Sequence, residues 1–196
     1  MGKPHEQRKL EIIQSALSLA AEFGVKKVTT QAIADHVGIA QATVFRHFKT
    51  KDAIFAEAIG WLANKLFQVL ASSFSMDATA DVRLNLLITR QLRFISQHKG
   101  VPRLLFSDRL HLESPTLKKA VQEIMQRYIS KVTSLLEQGV QSGCFRADLD
   151  TSKTAEYIAA LIQGLIMRWS IFDFDFDLEK QADELYAFID MAVRKH

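Results

Sequence analysis

The stretch TTQAIADHVGIAQATVFRHF, residues 29 to 48, decides the fold. Thr29 and Thr30 open it, and either hydroxyl can cap a helix by accepting a free backbone N–H. Ile33, Ala34 and Val37 then recur at helical spacing. Gly38 interrupts, supplying the positive φ that a tight turn needs. After Ile39 the apolar positions resume at Val44 and Phe48, on a second short helix over about 41 to 48. Two short helices joined by a glycine turn have helix–turn–helix spacing. Ala34 is small where the two would cross. Ile33, Val37, Ile39, Val44 and Phe48 are expected to form one apolar seam, closed by Ile13, Leu17 and Phe23 of a preceding helix. Seating the second helix on that seam turns Gln41, Ala42, Thr43, Phe45, Arg46 and His47 outward.

The outward set has a distinct chemistry. Gln, Thr, Arg and His side chains hydrogen-bond base edges or phosphates. Not one Asp or Glu occurs between Asp35 and Asp52. The surrounding charge agrees. Residues 1 to 52 hold eight Lys and Arg against five Asp and Glu, whereas the remainder holds seventeen of each. The whole net charge of +3 therefore lies at this end, which suits a polyanionic partner there and not elsewhere.

Outward from this segment the pattern stays helical. Leu10, Ile13, Ala16, Leu17, Ala20 and Phe23 place a helix over 6 to 23, stopped by Gly24. Further helices are expected at about 51–72, 79–98, 101–110 (broken), 115–141, 151–172 and 178–195. With the two short ones that makes nine, an all-α chain in two parts: a helix–turn–helix domain over 1–52 and a larger helical domain over 53–196. Only IFDFDFD, from Ile171, alternates as a strand would. The single cysteine, Cys144, has no internal disulfide partner, and a reducing cytoplasm is the expected setting. The start has no signal-peptide character. The longest greasy stretch, 158 to 172, is too short and too polar to span a bilayer.

The segment TTQAIADHVGIAQATVFRHFKTKDAIF resembles the DNA-binding region of the TetR family of bacterial transcriptional repressors. The likeness covers about fifty residues, with several positions agreeing at fixed offsets. It implies that Thr30 meets a phosphate at the start of its helix, that Gln41, Thr43 and Arg46 reach bases, that His47 reaches the backbone, and that Lys51 grips a second phosphate. Two departures stand out. Phe45 lies where the family often has Tyr, which removes one hydroxyl-to-phosphate bond. Ala40 lies where Ser or Thr often caps the reading helix, forfeiting roughly 1 kcal/mol.

The resemblance further implies a small-molecule effector and a homodimer for the rest of the chain. Tyr157, Ala160, Leu161, Gly164, Leu165 and Ile171, then Leu178, Ala182, Leu185, Phe188, Ile189 and Ala192, form stripes on the last two helices; paired with a second copy they would make a four-helix interface. Phe94, Phe106, Met125, Tyr128, Tyr157, Met167 and Trp169 are the candidate pocket residues. Arg90, Arg109 and Arg168 sit among apolar neighbours, where each meets an acidic ligand, snorkels to water or pairs with a carboxylate across an interface.

The expected function is a ligand-responsive, sequence-specific regulator: a repressor that an effector releases from a palindromic operator on double-stranded DNA, without membrane attachment. The alternative is a DNA-bound adaptor that recruits a partner protein. Catalysis has little to stand on, since no phosphate loop, nucleophile motif or metal-ligand pair is present; no cofactor and no metal are expected. Asp173, Asp175, Asp177 and Glu184 match calcium-loop offsets, but Leu178 replaces the required glycine and Lys180 adds positive charge. His98 and His111 are isolated. Asp177 is the expected cap of the final helix.

Overall fold

The structure is a computed structural model, and it describes residues 4–195. The described residues form nine α-helices: α1 His5–Phe23, α2 Thr30–Val37, α3 Gln41–His47, α4 Lys51–Ser75, α5 Ala80–Ser96, α6 Gly100–Leu105, α7 Pro115–Gln141, α8 Thr151–Ile171 and α9 Gln181–Val193. A 3₁₀ turn, Val25–Lys27, follows α1, and a π turn, Arg109–Glu113, precedes α7. The only strand-like pairing among these residues is an isolated bridge between Phe145 and Arg194. The chain packs as two compact units. One comprises residues up to Asn64 with His98–Gln122; the other comprises Lys65–Gln97 with Glu123 onward. The division therefore falls inside α4 and α7, and the first unit takes in α1, α2, α3 and α6 whole with the beginnings of α4 and α7.

In the first unit α1 ends where Gly24, at φ 79°, turns the chain. Ile12, Ile13, Ala16, Leu19 and Ala20 form its buried side. Phe23, expected on the seam, is 48% exposed: as the last residue of α1, it has rotated past the face that Leu19 and Ala20 bury. Thr29 caps α2, its hydroxyl accepting from the Ala32 amide at 3.0 Å. Gly38 closes α2 at φ 74° and ψ 41°, and Ile39 N–H returns to the Ala34 carbonyl at 2.9 Å. That six-to-one bond is the usual closure around a left-handed residue. The seam is buried at Ile33, Ala34, Val44 and Phe48, and half-buried at Val37 and Ile39. α6 crosses α1 at Gly100, where an added Cβ would stand 2.5 Å from the Leu17 carbonyl oxygen.

The second unit is built round Arg83 as well as its apolar core. This buried guanidinium donates to the Ser73 and Phe74 carbonyls, at 3.2 and 2.5 Å, and to Gln138 Oε1 at 2.8 Å. It satisfies carbonyls that the end of α4 leaves free. Tyr128 donates to Gln91 Oε1 at 2.6 Å, both buried. Burial raises the Tyr128 hydroxyl above the ordinary phenol value, the Gln91 bond opposing it. Gly139 faces the ring of Phe145, 2.1 Å from where a Cβ would lie. Asp150 caps α8 through the Lys153 amide at 2.9 Å. IFDFDFD is no strand: Asp173 and Phe174 have φ of 50° and 64°, and the chain turns there. Asp177 accepts from the Glu179 and Lys180 amides, at 3.1 and 3.3 Å, and so caps the turn that leads into α9 rather than α9 itself.

α4 is long and apolar enough by composition to cross a membrane, with a mean hydropathy of 1.2 over its best window. Its apolar side is a core face: Ile54, Phe55, Ala58, Ile59, Leu62, Phe67 and Leu70 are all buried in the fold.

Candidate nucleic-acid interface

α3 has seven residues and no side-chain cap, so isolated it would not hold. Packing holds it: Val44 and Phe48 lock its inner side, and a backbone bond from Thr43 N–H to the Ala40 carbonyl at 2.8 Å tightens its first turn. Ala42, Phe45 and Arg46 are then exposed, while Gln41, Thr43 and His47 are half-buried. The outward ridge carries donors and acceptors and no acid.

Four of the candidate residues already have partners within the chain. Gln41 Nε2 donates to Thr30 Oγ1 at 2.9 Å, joining the first turns of α2 and α3. This bond sets the Gln41 amide beside the opening amides of α2, where the positive end of the helix lies. Lys51 Nζ donates to the Val28 carbonyl at 2.9 Å. Burial, and then the charge of Arg109, pull the Lys51 ammonium below its ordinary value. It therefore has donors to spare for a phosphate but also pins the loop before α2. His47 packs against His5, with ring centroids 4.4 Å apart. Its ring is held below the ordinary imidazole value by burial first, then by His5, Arg46, Arg8 and Lys9.

Outside this ridge the arginines sort themselves. Arg109 ion-pairs with Asp52 and with Glu113 (3.3 Å), so its charge is answered within the first unit. Arg90 donates to the Ser72 hydroxyl. Arg168 lies 5.7 and 5.5 Å from the ring centroids of Phe172 and Phe176. The candidate pocket residues are not of one kind. Phe94, Tyr128 and Trp169 are buried, and Trp169 Nε1 donates to the Phe176 carbonyl at 2.9 Å. Phe106, in the first unit, and Met125, Tyr157 and Met167, in the second, are exposed.

The sequence reading missed His5, whose ring completes the stack on His47. Nothing in an isolated histidine at position 5 signals that contact. It also missed the Thr30–Gln41 pair, although both residues were singled out separately.

Comparison with known proteins agrees with this geometry. The family model described as bacterial regulatory proteins, tetR family, matches residues 12–58. A second, described as YsiA-like protein, C-terminal region, matches residues 55–192. This chain belongs to the TetR family. It is a DNA-binding transcriptional regulator of that family. Among curated relatives, it is 23% identical to a nucleoid occlusion factor SlmA from Marinomonas sp. over 169 residues, 86% of each chain. Two solved structures share its fold. A transcriptional regulator FadR from Bacillus subtilis in complex with stearoyl-CoA superposes with a TM-score of 0.79 at 22% identity, covering 92% of this chain and 96% of that one. A putative transcriptional regulator from Saccharomonospora viridis in complex with choline gives 0.84 at 22% identity, covering 97% of this chain and all of the other.

Proposed function

We propose that this TetR-family member is a homodimeric repressor that leaves a palindromic operator when a small-molecule effector binds within residues 53–196, the first 52 residues being the reading head. The observation that carries the reading is the acid-free outer face of α3, fixed on a closed apolar seam. On it Gln41, Thr43 and Arg46 read base edges, Ala42 and Phe45 pack against sugar or thymine methyl groups, and Thr30, His47 and Lys51 hold phosphates. The working compartment is the cytoplasm.

The dimer is supported by what the last two helices leave uncovered. On α8, Tyr157 and Ile171 are 63% and 65% exposed; on α9, Phe188 and Met191 are 57% and 65% exposed. Leu178, Ala182 and Ile189, counted in the expected stripe, are buried within the chain instead, so the proposed contact uses only the outer half of α9. A two-fold pair of heads matches half-sites spaced by whole helical turns.

The effector acts by preferring one of two conformations, and its differential affinity sets the largest shift it can cause. The neighbours bound to stearoyl-CoA and to choline show one fold serving unlike ligands. The aromatic and methionine-rich candidates of the second unit, Phe94, Met125, Tyr128, Tyr157, Met167 and Trp169, suit an apolar chain, which makes a long-chain acyl-CoA the first probe. The test is a duplex enriched by the purified protein from random DNA, titrated with and without stearoyl-CoA. Tight binding to the enriched duplex that the thioester weakens supports the reading. Equal affinity for enriched and random duplexes overturns it.

A second reading is a DNA-bound adaptor of the same fold that recruits a partner protein, and a nucleoid occlusion factor among the relatives keeps it in view. An occupancy map separates them: a few promoter sites for the repressor, many dispersed sites for the adaptor.

A further inference from the structure

The first turn of α1 carries basic side chains that the base-reading set leaves out. His5 lies against His47 of α3, with the two rings tilted by 34°. Arg8 and Lys9 follow on α1. Each is steadied by a carboxylate: Arg8 by Glu11 at 2.7 Å, and Lys9 by Glu57 of α4 at 3.0 Å. Lys9 also lies 5.5 Å from the centroid of the Phe48 ring. Arg46 is the neighbour of His47 on its own helix. Nδ1 of His47 is buried without a hydrogen-bond partner, a costly state for a polar atom.

We infer that His5 and His47 form a phosphate-binding subsite at the edge of the DNA interface, and that a backbone phosphate enters it together with a proton. The inference rests on the proposed DNA-reading role of α3. Burial of the His47 ring, and then the neighbouring His5, Arg46, Arg8 and Lys9, oppose its protonation. The acids facing them are few. Glu6 reaches His5 at 4.0 Å, whereas Glu11 and Glu57 are engaged by Arg8 and Lys9. On α2, the other helix packed on α3, Asp35 is bonded by Gln31 and His36 is exposed. At the start of α4, Lys51 and Asp52 are bonded to Val28 and Arg109. The free protein therefore approaches DNA with His47 neutral, in keeping with the direction of its shift. A phosphodiester beside the rings reverses the balance, because an anion within a few ångströms favours imidazolium. The complex then holds more protons than its separate parts. By linkage, affinity rises as pH falls between the bound-state and free-state values, and levels off below the free one.

The test is anisotropy of the protein-selected duplex and of a random duplex at constant ionic strength, from pH 8 to pH 6. Binding should tighten by about tenfold per proton taken up over the titrating unit of pH, and by the same factor on both duplexes, because phosphate carries no sequence. H5Q and H47Q should each flatten the profile while leaving the ratio of specific to random affinity unchanged. Calorimetry in two buffers of different ionisation heat should count the proton directly. Thermal melts of each variant at both pH values confirm that the comparison is between folded proteins. A flat wild-type profile with intact sequence preference overturns the proton-linked subsite and leaves the regulator reading standing. A gain that persists in the double variant H5Q/H47Q overturns it as well. Loss of all sequence preference in the wild type overturns both.

Discussion

At the scale of single residues, the proposed interface carries bonds within the chain that DNA would share or displace. The Gln41–Thr30 bond spans two helices, so Gln41→Ala removes the proposed base contact and also frees the Thr30 hydroxyl. Thr43→Ala removes the other proposed contact without that side effect. Both should lower discrimination against mismatched operators by about 1–3 kcal/mol, with little change on random DNA. Competition binding with matched and mismatched duplexes measures it, and equal losses on both would mean that neither residue reads bases. Lys51 has two tasks, which one variant separates. Lys51→Ala should lower the slope of log affinity against log salt by about one. It should also cost about 1 kcal/mol in denaturant unfolding through the lost bond to the Val28 carbonyl. The outward placement of Ala42, Phe45 and Arg46 was legible from the seam alone, since Val44 and Phe48 leave those positions no other side. The pairing of residues 30 with 41 and 5 with 47 was not, because side-chain bonds between helices depend on crossing geometry that periodicity does not encode.

At the scale of elements, helix existence was legible and helix faces were less so. Apolar spacing and the stops at Gly24 and Gly38 placed α1, α2 and α3. The expected inner face of α1 was rotated: it included Phe23 and omitted Ile12 and Leu19. α1 packs against α2, α3 and α6 together, so its buried arc is wider than one stripe. α9 begins later than its stripe because Asp177 organises a turn first. No helical-wheel reasoning marks Gly139 either; its need for hydrogen in place of a methyl group comes from Phe145, six residues on across a turn. Phe145 is fully buried and belongs to the bridge with Arg194. Gly139→Ala should therefore destabilise by about 1–3 kcal/mol, the overpacking cost outweighing the gain in helix propensity. An unchanged or raised midpoint of unfolding would show that the Phe145 ring gives way freely.

At the scale of the whole molecule, the proposed palindromic operator calls for two reading heads and therefore two chains. The uncovered apolar side chains on α8 and α9 are the means proposed here. Phe188→Asp puts a charge at the centre of that face without touching the buried Ile189 beside it. Sedimentation should find a monomer where the wild type is a dimer, and operator affinity should fall on the order of 100-fold as the second head ceases to be tethered. The most direct test of the account is the sequence that the purified wild-type protein enriches from a random duplex pool. The account predicts a palindrome whose half-sites lie one or more helical turns apart and whose strongest positions weaken in Gln41→Ala and Thr43→Ala. Enrichment of no sequence, or of one that both variants select equally well, would contradict it.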